Sequence, residues 1–264
     1  MIRLIASDMD GTLLDEHSQV PEGTFELIAA LQEKGIRFCA SSGRRYDTLR
    51  EFFGPIADRI DYVASAGTQV YAKGILLDYE VFSSRSVQRL YDLCAQLDCL
   101  HLALYDRTNT FLLDDLDHYV REIDKDLPRA VHVQRLPAPD VGIVKAAICY
   151  ERADDIMDMA YVLERELGDA FMFMPSGRTW IDVVPRGINK ATGLQAVLAH
   201  YSIDPRDVLA FGDSMNDYAM LRYVGHPYVM GNARNALKHV AEKVLGTNRE
   251  QAVQAELRVL LEAR

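Results

Sequence analysis

Apolar residues near the amino terminus fall in short continuous runs rather than in alternation. "LIA" (4–6), "IRFCAS" (36–41) and "DYVAS" (61–65) are each bounded by acid, Gly or Ser. Runs of this kind and length mark strands covered on both faces. Between them the spacing changes to that of helices. Phe25, Leu27, Ile28 and Leu31 follow Pro21 and precede Gly35, a residue suited to a helix carboxyl cap, and "RRYDTLREFFG" (44–54) fills the next interval. Strands alternating with helices of this length predict a parallel sheet with crossover helices.

The last third repeats that texture. A helix over "KATGLQAVLAHY" (190–201) leads through Asp204-Pro205 to a strand, "DVLAF" (207–211), that ends at Gly212-Asp213. A helix near "NDYAMLRYV" (216–224), a strand "PYVM" (227–230) stopping at Gly231-Asn232, and an amphipathic helix "REQAVQAELRVLLEA" (249–263) complete the chain.

The middle reads differently. Helices over "RSVQRLYDLCAQL" (85–97) and "ADDIMDMAYVLEREL" (153–167) are mixed with "LHLALYD", "TFLLD", "IVKAAICY", "AFMFMP" and "TWIDVV", which read as paired, half-exposed strands. The expected organisation is therefore α/β. A Rossmann-like core with a central parallel sheet, formed by residues 1–81 and 184–264, carries an α+β domain inserted over residues 82–183.

Composition narrows the function. Of 264 residues, 49% are hydrophobic and 26% charged, so a sizeable core is available. A net charge of -10 without a basic stretch argues against a nucleic-acid or membrane-surface partner. No run approaches the ~18 apolar residues of a membrane span, and four cysteines without CxxC spacing suit a reduced compartment; the expected location is cytoplasmic. An anionic substrate would then need a local positive device. The sequence does not speak to oligomeric state.

Ligands of parallel open sheets sit at the carboxyl ends of the strands. Those ends carry Asp8 and Asp10, then Ser42-Gly43-Arg44, then Gly212-Asp213 with Asn216 and Asp217. Each feature alone has a plain reading: Asp-Gly is a common turn, Asp213 a plausible helix cap, Lys190 an ordinary surface charge. Together, carboxylates crowded on one edge would repel unless a cation sat among them. All-oxygen donors favour a hard ion such as Mg²⁺. Ser42 supplies a hydroxyl, Gly43 lets backbone N–H groups approach an anion, and Lys190 adds a compact positive charge.

In that order and spacing, the chain resembles the haloacid dehalogenase (HAD) superfamily of phosphatases, in its Cof-like branch with a large α/β (type IIB) cap. "DMDGTLL" is similar to the first motif, "SSGR" to the second, Lys190 to the lysine motif and "GDSMND" to the fourth; "VMGNA" (229–233) resembles a further segment of the branch. Ser42 stands where the branch usually has threonine, Ala191 where glycine often follows the lysine, and Ala66 where an asparagine is common. The resemblance implies Asp8 as nucleophile, forming an aspartyl-phosphate, and Asp10 as general acid and base. Further, it implies phosphate binding by Met9 (through its N–H), Ser42, Gly43, Lys190 and Asn216. Mg²⁺ would be held by Asp8, the Asp10 carbonyl and Asp213, with Asp217 in the outer shell. Arg45 and Arg178 are second-tier candidates for substrate contact. The expected activity is Mg²⁺-dependent hydrolysis of a small phosphorylated metabolite, a sugar phosphate being one candidate. A phosphomutase using the same intermediate, or a non-catalytic phosphometabolite sensor, are the alternatives.

Overall fold

The computed structural model describes residues 1–113, 127, 130–152, 155–176 and 179–262. The chain divides into two compact units, Met1–Tyr79 with Asn189–Arg264, and Glu80–Ile188. The divisions fall outside the 82 and 183 expected from composition. At the carboxyl side the reason is local: the last strand of the inserted unit runs on to Pro185 and its turn to Ile188, before Asn189 caps the next helix.

In chain order, the first unit contributes strands β1 (Leu4–Ser7), β2 (Arg37–Ser41), β3 (Asp61–Ala64), β4 (Gln69–Ala72) and β5 (Ile75–Tyr79) before the insertion. Helices α1 (Thr24–Glu33) and α2 (Tyr46–Phe53) connect β1 to β2 and β2 to β3. The inserted unit contains β6 (Leu100–Tyr105), β7 (Thr110–Leu113), β8 (Val131–Val133), β9 (Lys145–Tyr150), β10 (Phe171–Ser176) and β11 (Trp180–Pro185), with α3 (Ser84–Cys94) and α4 (Ile156–Leu167). After it come α5 (Lys190–Tyr201), β12 (Val208–Gly212), α6 (Tyr218–Tyr223), β13 (His226–Val229), α7 (Asn235–Lys238), β14 (Lys243–Val244) and α8 (Ala252–Glu262).

The sheet of the first unit has the order β14-β13-β12-β1-β2-β3-β4-β5. From β14 to β3 every pairing is parallel; β4 and β5 add an antiparallel extension that the hydrophobic pattern did not suggest. The β4–β5 turn is made by Lys73 and Gly74, both at positive φ (46° and 83°), as a two-residue hairpin requires. No Asn-Gly or Asp-Gly flags that turn in the sequence.

Register is what positions the site. Ser7 of β1 pairs with Phe211 of β12 on one side and Ala40 of β2 on the other, and Ser41 pairs with Val63 of β3. The residues that follow the strands, Asp8, Asp213, Ser42 and Ser65, therefore leave the sheet along one edge. Leu4, Ile5 and Ala6 are completely buried, with Ile5, Phe38 and Phe211 in one core layer and Leu4, Ala6 and Val208 in the other. Helices on both faces make β1 a rigid central support.

In the inserted unit the sheet order is β10-β11-β9-β6-β7-β8, antiparallel except for β7 with β8. Its apolar face, including Leu102, Leu104, Ile148, Ile181 and Val183, packs in one core with Leu90 of α3 and Leu163 of α4. The expectation of half-exposed strands fails for β6 and β9, which are buried along their whole length and lie in the middle of that sheet, paired on both edges. Lys145 and Asp182, on adjacent strands, form a buried ion pair at 2.7 Å.

Candidate active site

After Ser7 the chain cannot remain a strand, because Gly11 turns it at φ +79° into a kinked helical turn over Met9–Leu13. A side chain at Gly11 would overlap the Asp213 carboxylate, so glycine is required both by backbone angle and by space. Asp8 is buried, its N–H donating to the Phe211 carbonyl at 3.0 Å. The Met9 side chain lies in the core, leaving only its backbone available to a ligand.

Lys190 is the first residue of α5 and almost wholly buried. Its ammonium donates to Asp8 Oδ1 at 2.5 Å, to Asp217 Oδ1 at 2.6 Å and to the Asn216 amide oxygen at 3.2 Å. The other Asp217 oxygen accepts from the backbone N–H of Asp213 (3.1 Å) and of Ser214 (3.0 Å), folding the "GDSMND" loop around a fully buried carboxylate. Ser214 Oγ also donates to Asn216 Oδ1 at 2.6 Å, and Thr12 Oγ1 donates to Asp213 Oδ1 at 3.1 Å.

Three carboxylates, Asp8, Asp213 and Asp217, thus offer oxygens that all lie within 4.8 Å of one another. One ammonium does not neutralise three acids. Burial first, then the Asp217 charge, push the Asp8 carboxyl well above its usual range, with Lys190 opposing. Burial and Asp217 likewise push Asp213 up to about 6, against the Thr12 hydrogen bond. For Lys190 burial disfavours the charge, but Asp217 and Asp8 outweigh it and raise its pKa. The donor set is hard, all-oxygen and electrostatically short of positive charge, which fits Mg²⁺.

Ser42, directly after β2, the strand paired with β1, is buried, its Oγ accepting from the Arg44 N–H at 3.2 Å while its carbonyl accepts from Ala66 N–H at 2.9 Å. Ala66 sits in the left-handed region at φ +57°, a conformation asparagine tolerates better than alanine. The Asp10 side chain does not join the acidic cluster. It is held by Arg44, with Nε to Oδ2 at 2.7 Å and Nη2 to Oδ1 at 2.6 Å. Arg45, the neighbour singled out from the sequence, instead binds Asp47 at 2.8 Å. Arg178 lies outside the described residues.

Sequence reasoning missed three participants. Thr12 lies inside the first motif and Arg44 ends the second, so both were visible, Thr12 only as a turn residue and Arg44 without an assigned role. Asn232, in "VMGNA", donates to the Gly11 carbonyl at 2.8 Å and to Asp213 Oδ2 at 3.4 Å, tying the β1 turn to the loop after β13.

In comparison with known proteins, residues 5–257 match the haloacid dehalogenase-like hydrolase family. The chain belongs to that family. An HMP-PP phosphatase of Escherichia coli O157:H7 is 31% identical over 272 residues, covering 96% of this chain and 93% of its own. The SMU.1108c structure from Streptococcus mutans superposes with a TM-score of 0.91 at 22% identity, covering 100% of both chains. The HAD subclass IIB sugar phosphatase BT4131 gives 0.82 at 19% identity, over 98% of each chain. These two establish the HAD fold with its mixed α/β sheets. The chain is a HAD-type phosphatase, a phosphoric monoester hydrolase. Among the described residues, no helix is long and apolar enough to cross a membrane.

Proposed function

We propose that this HAD phosphatase hydrolyses a small phosphorylated metabolite, with Mg²⁺, through a phosphorylated Asp8. The observation that carries the reading is the set of Asp8, Lys190, Asp213 and Asp217, with only Asp213 partly exposed, assembled from two strand ends and one helix start. Asp8 and Asp213 would hold the ion, joined by the Asp10 carbonyl, and Asp217 supports them through its bonds to Lys190 and the loop N–H groups. Bound there, Mg²⁺ supplies positive charge toward the phosphoryl oxygens and offsets the carboxylates around it.

The remaining chemistry belongs to the chain. Lys190 occupies one Asp8 oxygen and leaves the other for attack on phosphorus. As the Asp8–phosphorus bond forms, the bond from phosphorus to the leaving oxygen breaks and that oxygen takes a proton from Asp10. Asp10 then removes a proton from water, which attacks phosphorus, breaks the acyl-phosphate bond and restores the Asp8 carboxylate. The Met9 and Gly43 N–H groups, the Ser42 hydroxyl, Lys190 and the Asn216 amide are assigned to the phosphoryl oxygens, where preorganised donors lower the barrier.

The candidate substrates are those named for the relatives, HMP-PP and sugar phosphates. We assign the choice among them to the inserted unit, the expected cap, on its size and its place in the chain. A phosphate-release assay over both classes, with and without Mg²⁺ and beside Asp8→Asn, tests the reading. Metal-dependent release by the native protein and loss of at least about a thousand-fold in Asp8→Asn are expected, as for removal of a group acting directly in the chemical step. Unimpaired turnover by Asp8→Asn would overturn it.

A further inference from the structure

The fork between Arg44 and Asp10 occupies both oxygens of the carboxylate assigned to acid–base chemistry. Nε reaches Oδ2 at 2.7 Å and Nη2 reaches Oδ1 at 2.6 Å, the parallel two-bond arrangement that makes arginine–carboxylate pairs specific. Arg44 is well fixed for this. Its N–H donates to Ser42 Oγ at 3.2 Å and its carbonyl accepts from Ser65 N–H at 2.8 Å, anchoring its backbone between the ends of β2 and β3. Its guanidinium carbon lies 4.9 Å from the centre of the Phe52 ring.

This creates a conflict that the reaction has to resolve. A proton donor needs one carboxyl oxygen within hydrogen-bond reach of the leaving group, roughly 2.6–3.2 Å. With both oxygens held by Arg44, neither is available in that sense, so the fork must open before Asp10 acts. The pair is also placed to open. Side-chain exposure is 33% for Arg44 and 49% for Asp10, against 1% and 7% for Lys190 and Asp8, so solvent weakens the first pair far more than the second. A guanidinium fork matches phosphate as well as it matches carboxylate. Arg44 moreover directly follows the Ser42-Gly43 turn assigned to phosphate.

We infer that Arg44 is a positioning residue that holds Asp10 aside in the free protein and releases it when an anionic oxygen of the substrate takes over the guanidinium. The inference rests on the proposed reading that a phosphoryl group docks beside Asp8. In the exchange, two N–H···O bonds to Asp10 break and two to the substrate form, so the guanidinium trades one anion for another; the freed Asp10 carboxylate then takes from solvent the proton that it passes to the leaving oxygen. Arrival of substrate and release of the acid–base group are then one event. The anion comes either from the phosphoryl group being transferred or from a second anionic group on the part that leaves.

Competition for one guanidinium is measurable without turnover. Binding of inorganic phosphate, and separately of methylenediphosphonate, is measured by calorimetry on the Mg²⁺-loaded protein, Asp10→Asn, Arg44→Gln and the double variant. Asp10→Asn frees Arg44, so it tightens anion binding about ten-fold, while the same substitution in the Arg44→Gln background changes affinity less than about two-fold. Coupling seen with inorganic phosphate assigns the contact to the transferred group; coupling seen only with the diphosphonate assigns it to the leaving portion. An equal effect of Asp10→Asn in both backgrounds, with both probes, overturns the inference while leaving the hydrolytic reading intact. Absence of phosphate binding together with absence of hydrolysis overturns both. Should Arg44→Gln fail to fold by circular dichroism, Arg44→Lys, which keeps the charge but not the fork, takes its place with an intermediate coupling expected.

Discussion

The Lys190 ammonium lies 2.5 Å from Asp8 Oδ1, joining the first strand's end to a helix start 182 positions later in the chain. Both groups are buried, and Asp217 shares the same ammonium at 2.6 Å. Removing the cation leaves two carboxylates facing each other without it. Breaking one side of a buried pair typically costs about 3–5 kcal/mol, so Lys190→Met is expected to lose that order of stability in thermal unfolding without divalent ions. Asp8→Asn, which subtracts one acid from an overcrowded set, is expected to melt no lower than the native protein under the same conditions. A Lys190→Met protein as stable as the native one would contradict this account.

The same crowding gives stability a pH dependence. Asp213 has its pKa raised to about 6, chiefly by burial and then by Asp217, and burial also raises Asp61 to about 6. A carboxyl with a raised folded-state pKa binds protons more readily when folded. Its favourable contribution is therefore complete below the unfolded value near 4 and is lost as pH rises through about 6. Metal-free protein should lose stability across that window. Mg²⁺ should raise the melting temperature more at pH 7 than at pH 5, since the ion competes with protons for Asp213. Equal shifts at both pH values would argue against a metal at this cluster.

Much of this was legible in the sequence because the candidate site residues follow continuous apolar runs. "LIA" before Asp8 and "DVLAF" before Asp213 mark strands by hydrophobicity alone, and parallel pairing brings their ends to one edge. What the sequence withheld depends on side-chain direction. Arg44 and Arg45 are adjacent and chemically identical, yet one reaches back to Asp10 and the other forward to Asp47. Asn232 acts through a tertiary contact with Gly11, 221 residues away, which no local pattern encodes. The β4–β5 extension was hidden for a different reason, since its Lys-Gly turn carries little of the usual hairpin signal.

Gly11 supplies a sharper test of how the first turn serves the site. Its φ of +79° disfavours any side chain, and a Cβ there would run into Asp213. The left-handed conformation alone costs an L-residue about 1–2 kcal/mol. Gly11→Ala is expected to lose at least that in stability and, by displacing Asp213, to weaken Mg²⁺ activation as well. The measurement is the Mg²⁺ concentration for half-maximal phosphate release. An unchanged value would mean that Asp213 moves aside without consequence.

Gly67 plays a corresponding part at the other side of the site. It has φ +112°, and a Cβ built on it would overlap the Asn189 carbonyl oxygen and lie 2.7 Å from the carbonyl carbon. Asn189 is the amino-terminal cap of α5, its side chain accepting from Ala191 N–H at 2.9 Å and Thr192 N–H at 3.2 Å, and Lys190 follows immediately. The turn after β3 therefore acts as a stop that sets where Lys190 begins. Gly67→Ala forces either that turn or the helix start to move, whereas Asn189→Ala removes only the cap, at about 1 kcal/mol. Gly67→Ala is expected to destabilise by more than Asn189→Ala in denaturant unfolding, and to reduce kcat as well because the Lys190–Asp8 contact lengthens. If Gly67→Ala unfolds earlier yet keeps native kcat, the close approach of turn and helix supports the fold without setting the ammonium's position.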